Sequence, residues 1–116
     1  MAKGLYINMS SKDLIKQIIE KIPEKDMADL AKSSKTVNIE LTDSDPFRIA
    51  IGEGKISIAD GKAEKADATV KCSDQVLGDI ITGKLNAFSA FMSGKVTVSG
   101  DLFFVQKMIT VLGKGK

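Results

Sequence analysis

The chain has 116 residues, enough for one domain with a substantial hydrophobic core. Its 43% hydrophobic and 28% charged residues are typical of a soluble globular protein, and its net charge is +2. The basic residues form no continuous stripe and include a single arginine, Arg48, so no nucleic-acid partner is expected.

The absence of histidine lowers the expectation of catalysis. Histidine is the commonest general base, the usual partner of a serine or cysteine nucleophile, and the commonest metal ligand. The turn carboxylates do not have the spacing of a calcium loop. The sequence therefore predicts a protein that is not an enzyme, with no catalytic residue, no metal site and no cofactor.

The chain contains no apolar run of 18 residues and no signal-peptide pattern at its start, so a cytoplasmic location is expected. Two lysines near the end, Lys114 and Lys116, allow a weak, transient contact with an anionic membrane surface.

The first predicted elements are two helices. Residues 1–9 show no clean period and are compatible with an irregular arm or with the start of the first helix. Ser10 or Ser11 is expected to cap that helix, and Pro23 ends it. Apolar residues at three- and four-residue steps give it one buried face: Leu14, Ile15, Ile18, Ile19 and Ile22. A second, short helix is predicted over residues 23–31.

Three strands follow, because apolar and polar residues alternate over residues 37–41 and 47–51 and, more briefly, over 56–58. The links between them are short, which predicts an antiparallel meander with one apolar face.

Residues 67–100 form the next unit. A fourth strand ends at Cys72, which is expected to be a small buried side chain rather than a reactive thiol. Ser73 should cap a helix that Gly83 stops, and Asn86 should cap a shorter helix. Val96 and Val98 mark a fifth strand.

The last predicted helix spans residues 102–112, with Asp101 as its cap and Phe103 in its narrow polar stripe. Apart from Phe103, its apolar side chains cover an arc of roughly 180°, whereas a helix lying on one surface needs only about 100°. Either a second surface or an apolar ligand must cover the excess. The large side chains of this helix and of the short helix are most simply core residues, and a cavity is the alternative.

The order of the elements predicts an α+β fold, with the helices on one face of a five-stranded, mainly antiparallel sheet. No repeat or linker divides the chain, so a single domain over residues 1–116 is expected.

Residues 67–101 resemble the sterol carrier protein type 2 family. The resemblance lies in Ala68-Thr69-Val70, the Ser73-Asp74 helix start, the run from Thr82 to Asn86, Ser89-Ala90-Phe91, Gly94-Lys95-Val96 and Gly100-Asp101. This chain has Ala87 where the family often has proline, and it does not end in a peroxisomal targeting tripeptide. These departures favour a stand-alone, prokaryotic member over a eukaryotic peroxisomal sterol carrier.

The resemblance also implies an apolar tunnel between sheet and helices that takes fatty acids, acyl-CoA, sterols or phospholipids. The side chains expected to bind the lipid are Ile80, Ile81, Phe88, Phe91, Met92, Phe104, Met108 and Leu112, with Phe103 near the mouth. The predicted function is non-covalent binding and carriage of a lipid. One alternative is an accessory domain that presents a lipid or quinone precursor to a partner enzyme, or assembles with one. Another is an enzyme that acts on acyl substrates.

Overall fold

The computed structural model describes residues 10–115, so the question of an arm or a helix over residues 1–9 lies outside it. The described residues form a five-stranded sheet in the order β3-β2-β1-β4-β5. The strands are β1 Lys35–Leu41, β2 Phe47–Gly52, β3 Lys55–Asp60, β4 Ala68–Cys72 and β5 Thr97–Gly100. Neighbouring strands are antiparallel except β1 and β4, which are parallel. The predicted α+β class, with a mainly antiparallel sheet, is confirmed.

Five helices accompany this sheet within residues 10–115. They are α1 Ser11–Lys21, α2 Glu24–Leu30, α3 Asp74–Thr82, α4 Ala87–Met92 and α5 Leu102–Gly113. Every second residue of β2 and β4 is buried, which gives the sheet one apolar face, and this face packs with the apolar sides of α1, α3 and α5 into one core.

The sequence places the helix starts correctly. Four side chains accept a backbone hydrogen bond from the residue three positions on, and they are Ser10, Ser73, Asn86 and Asp101. These bonds satisfy amide groups that a helix leaves without an internal partner at its first turn. Gly83, at a φ of 86°, ends α3 in the left-handed conformation as predicted.

Two strands differ from the sequence prediction. β3 has six residues instead of the shorter predicted strand, because it pairs with β2 from Lys55 opposite Gly52 to Asp60 opposite Phe47. β5 begins at Thr97 rather than at Val96. The Val96 amide donates instead to the carbonyl oxygen of Ala90 in α4, at 3.4 Å, which keeps Val96 out of the strand.

The parallel pair depends on the connection between β3 and β4, which crosses the polar face of the sheet. Asn38 of β1 is buried, and its side-chain amide exchanges two hydrogen bonds with the backbone of Ala63, at 2.8 and 3.1 Å. The crossing carries the chain over β1 and sets β4 beside it on the far side from β2.

Asp74 joins the starts of α1 and α3. Its Oδ1 atom accepts from the backbone amide and the hydroxyl of buried Ser11, at 2.9 and 2.7 Å. Asp74 is therefore a structural carboxylate.

Within residues 10–115 no helix is long and apolar enough to cross a bilayer.

Candidate functional site

A cleft of about 390 Å³ lies between α4, β5 and α5. Pockets that bind small molecules are typically about 300 to 1,000 Å³ in volume. The lining of this cleft comes from the end of α3, from α4 and its cap, from the β5 region and from one side of α5: Ile80, Asn86, Ala87, Phe88, Phe91, Val96, Val98, Leu102, Val105, Gln106, Ile109 and Thr110.

The wide apolar surface of α5 divides between the core and this cleft. At about 100° per residue, Phe104, Met108, Val111 and Leu112 form one stripe, and all four are buried. Leu102, Val105 and Ile109 form the adjacent stripe and line the cleft. Val105 also belongs to the core cluster and is 1% exposed, so the apolar arc beyond what one surface needs forms the boundary between core and cleft.

The opposite wall is α4, a six-residue helix held to the core by one buried side chain, Ala90. The Ala90 carbonyl oxygen also accepts from the amides of Lys95 and Val96, at 2.9 and 3.4 Å. Phe88 and Phe91 stand on the cleft side but keep 65% and 39% of their surface exposed. The cleft is therefore open to solvent at α4.

The chemistry of the cleft is that of an apolar site with a few neutral polar groups. None of its lining residues is charged. The Asn86 side-chain oxygen accepts from the Ser89 amide, and the Thr110 hydroxyl donates to the Gln106 carbonyl oxygen, at 3.0 Å each. Such a site favours a hydrocarbon chain over a charged group, which needs paired partners when it leaves water.

Three contacts fix the start of α5 beside the cleft. Asp101 accepts from the Phe104 amide at 3.0 Å and from the Lys35 ammonium at 3.2 Å. These hydrogen bonds, the backbone one first, lower the pKa of the Asp101 carboxyl. The Lys35 ammonium also lies 5.8 Å from the centre of the Phe104 ring.

The sequence model of the SCP-2 sterol transfer family matches residues 15–113, which make up most of the chain. The chain belongs to the SCP-2 sterol transfer family. Peroxisomal multifunctional enzyme A from Dictyostelium discoideum is 42% identical over 57 residues, which cover 49% of this chain and 13% of that enzyme. The chain thus corresponds to a small part of the length of that relative.

Solved structures share the family fold at low identity. UbiJ-SCP2, a ubiquinone synthesis protein, has a TM-score of 0.70 at 20% identity, and the match covers 89% of this chain and 85% of that one. Sterol carrier protein 2 of Aedes aegypti, solved in complex with palmitate, has a TM-score of 0.64 at 18% identity, covering 88% and 96% of the two chains. These likenesses show the fold.

The nine side chains predicted to bind lipid in this family member fall into three groups. Ile80, Phe88 and Phe91 lie together around the cleft. Met92 and Phe103 are exposed and lie outside its lining. The other four are buried in the core and also lie outside the lining: Ile81, Phe104, Met108 and Leu112. Contact of any of the nine with a ligand stays a prediction.

Sequence reasoning did not select Val98, Leu102, Val105 or Ile109 as lining residues. A signal was present, because the last three lie three and four residues apart on one side of the over-apolar helix. On α5, the residues predicted from the family resemblance, Phe104, Met108 and Leu112, belong to the neighbouring stripe.

Cys72 lies outside the cleft lining and is 3% exposed. Burial, with smaller contributions from the Asp43 and Asp74 carboxylates, raises the pKa of the Cys72 thiol to about 11 from its ordinary value of 9.0. A difference of two pKa units lowers the thiolate fraction by about 100-fold at pH 8.

We therefore expect Cys72 in the native protein to react with a thiol reagent such as dithionitrobenzoate at least about 100-fold more slowly than in urea-unfolded protein at the same pH. Release of the coloured thiolate, followed by absorbance, measures both rates. Equal rates would contradict burial of the thiol in the native state.

Proposed function

We propose that this chain binds one molecule of a single-chain lipid, such as a fatty acid, in the cleft between α4 and α5, and carries it without a covalent step. The main observation in support is the apolar side of α5 that lines the cleft in addition to the side that packs in the core. Family membership supports the same function. The ligand contacts that we assign are Ile80, Phe88, Phe91, Val105 and Ile109.

Affinity in such a site comes from apolar surface removed from water. Each buried CH₂ group contributes about 0.8 kcal/mol, or about a factor of four in the dissociation constant. Because no charged side chain lines the cleft, the head group adds little discrimination. We expect affinity to follow chain length far more than head-group chemistry.

A titration series with saturated fatty acids of increasing length tests the proposal. One saturable site per chain is expected, with affinity that rises about fourfold per CH₂ group until the hydrocarbon outgrows the cleft. Displacement of a fluorescent fatty acid gives the constants, and native mass spectrometry gives the stoichiometry. Absence of saturable binding, together with purified protein that carries no lipid, would refute the proposed function.

A second candidate is an accessory role, in which the domain presents a lipid or quinone precursor to an enzyme. The observation that favours it is that the matching segment of the Dictyostelium relative forms 13% of a multifunctional enzyme. The ubiquinone synthesis protein with the same fold is in keeping with it. Co-purification of a polyprenyl compound with a stable enzyme partner would support this role over simple carriage.

We propose that residues 1–116 form one lipid-binding domain that acts in the cytoplasm. We propose no catalytic step, in keeping with a chain without histidine and a cleft whose lining has no charged side chain. Turnover of an acyl-CoA by the purified chain would contradict this part, and cell fractionation tests the location.

A further inference from the structure

Exposed apolar side chains are concentrated at the mouth of the cleft. Within residues 10–115, the large hydrophobic residues that remain exposed all belong to α4 or to the first turn of α5. We call this set the apolar rim: Phe88, Phe91, Met92, Leu102 and Phe103. Phe103 is the extreme case, with 82% of its surface exposed. Apolar residues gathered in this way mark an interaction site more often than ordinary surface does.

The charge of the chain changes sign at the segment that carries the rim. Residues 83–116 contain five lysines and one acidic residue, Asp101, whereas residues 1–82 contain 12 basic and 14 acidic residues. Asp101 is itself paired with Lys35 at 3.2 Å. The single carboxylate of this basic segment is therefore neutralised. Two of its lysines are paired as well, Lys107 with Asp29 at 3.4 Å and Lys114 with Asp26 at 3.7 Å, so the positive charge beside the rim depends on the other lysines.

Two of these lysines lie immediately beside α4. Lys84 precedes the helix cap Asn86 by two residues, and Lys95 is bonded through its backbone to Ala90. Both are exposed, and neither forms an ion pair with any residue between 10 and 115. They are available to an anionic partner at the edge of the rim.

We propose that the apolar rim docks on an anionic phospholipid bilayer, with Lys84 and Lys95 at the level of the head groups. Aromatic and aliphatic side chains beside lysines form the pattern by which proteins lie in a bilayer interface. Phe88, Phe91 and Leu102 belong both to the rim and to the cleft lining. Docking therefore sets the mouth of the cleft against the bilayer. This contact does not depend on a lipid inside the cleft.

Flotation with vesicles of phosphatidylcholine alone, and with an equal share of phosphatidylglycerol, tests the charge part. We expect binding to the anionic vesicles that weakens steeply from low to high salt. Each lysine near an anionic surface contributes about a factor of five, so the double variant Lys84→Gln and Lys95→Gln should bind about 30-fold more weakly.

The double variant Lys55→Gln and Lys65→Gln is the matched control. It makes the same change in net charge, but Lys55 lies on the edge strand opposite β5 and Lys65 in the connection over the polar face. The control should bind like the unchanged protein. If both double variants lost the same vesicle affinity, net charge alone would explain the effect, and the assigned surface would be wrong.

The apolar part is tested with Phe103→Gln, since this exposed ring contributes little to the core. Its thermal midpoint should be unchanged and its vesicle binding about tenfold weaker. Undiminished vesicle binding would overturn the proposal, and so would failure of the unchanged protein to bind anionic vesicles. A stable dimer that Phe103→Gln dissociates would also overturn it, because a second copy then covers the rim. The fatty-acid titration without vesicles stands separately, so failure of one proposal is distinguishable from failure of the other.

Discussion

Replacing Gly100 with alanine is expected to destabilise the fold by at least about 3 kcal/mol or to prevent folding. Gly100 has a φ of 89°, where a side chain costs roughly 1–2 kcal/mol. A Cβ atom there would also lie 2.4 Å from the carbonyl oxygen of Asp67 and 2.8 Å from the Cα atom of Ala68. Both are backbone atoms of the neighbouring segment, so relief requires that β4 and β5 separate.

The consequence reaches the cleft through the next residue. The Asp101 amide donates to the same Asp67 carbonyl oxygen at 2.9 Å, and Asp101 caps α5. A displaced Gly100 therefore disturbs both the last pair of the sheet and the start of the helix that lines the cleft. Loss of this backbone hydrogen bond adds about 1 kcal/mol to the steric cost.

Gly94→Ala is the matched control for Gly100→Ala. Gly94 has a similar φ of 80°, but nothing lies within 4 Å of an added Cβ atom. Its variant should lose only the conformational part, roughly 1–2 kcal/mol. Urea denaturation followed by circular dichroism measures both free energies of unfolding. Equal losses at the two positions would show that the close approach to Asp67 is unimportant.

The local features of this fold were predictable because each depends on a few adjacent residues. Ser73 caps the start of α3 with its side chain, and Gly83 ends the helix in the left-handed conformation. Both effects depend on the residue type alone, so the sequence shows them directly. The same holds for the β2–β3 turn, where Glu53 and Gly54 both have positive φ, as two-residue hairpins favour.

The pairing of β1 with β4 was beyond the sequence pattern. Alternation shows that a strand has one apolar side, but it does not name the neighbour. The decisive contact is Asn38 with the backbone of Ala63, a long-range bond that holds the crossing connection against the sheet. A single buried amide has no periodic signal.

The site was predictable to the level of its helices. The excess apolar arc identified α5, and the aromatic side chains identified α4. Which half of α5 faces the core depends on the angle at which it packs, and that angle is set by contacts with α1, α2, α3 and β4. The large residues Phe104 and Met108 fill the core, Val105 is buried at the boundary between core and cleft, and the half-buried Ile109 faces the cleft.

Replacing Ile109 with glutamine is expected to weaken fatty-acid binding about 10- to 100-fold. Ile109 is a half-buried residue that lines the middle of the α5 side of the cleft. A glutamine amide there faces a hydrocarbon chain that offers no hydrogen bond, and desolvation of an unpaired amide costs about 1–3 kcal/mol. Displacement of a fluorescent fatty acid measures the loss.

Ile19→Gln separates this effect from a general loss of stability. Ile19 is also a half-buried isoleucine on a helix packed against the core, but it lies on α1 and outside the cleft lining. The two variants remove similar apolar contacts, so their free energies of unfolding should fall by similar amounts, roughly 1–2 kcal/mol. Only Ile109→Gln should change the dissociation constant. If both variants bound fatty acid with the affinity of the unchanged protein, the ligand would have to lie elsewhere, and the predicted contacts Phe104 and Met108 would become the next positions to replace.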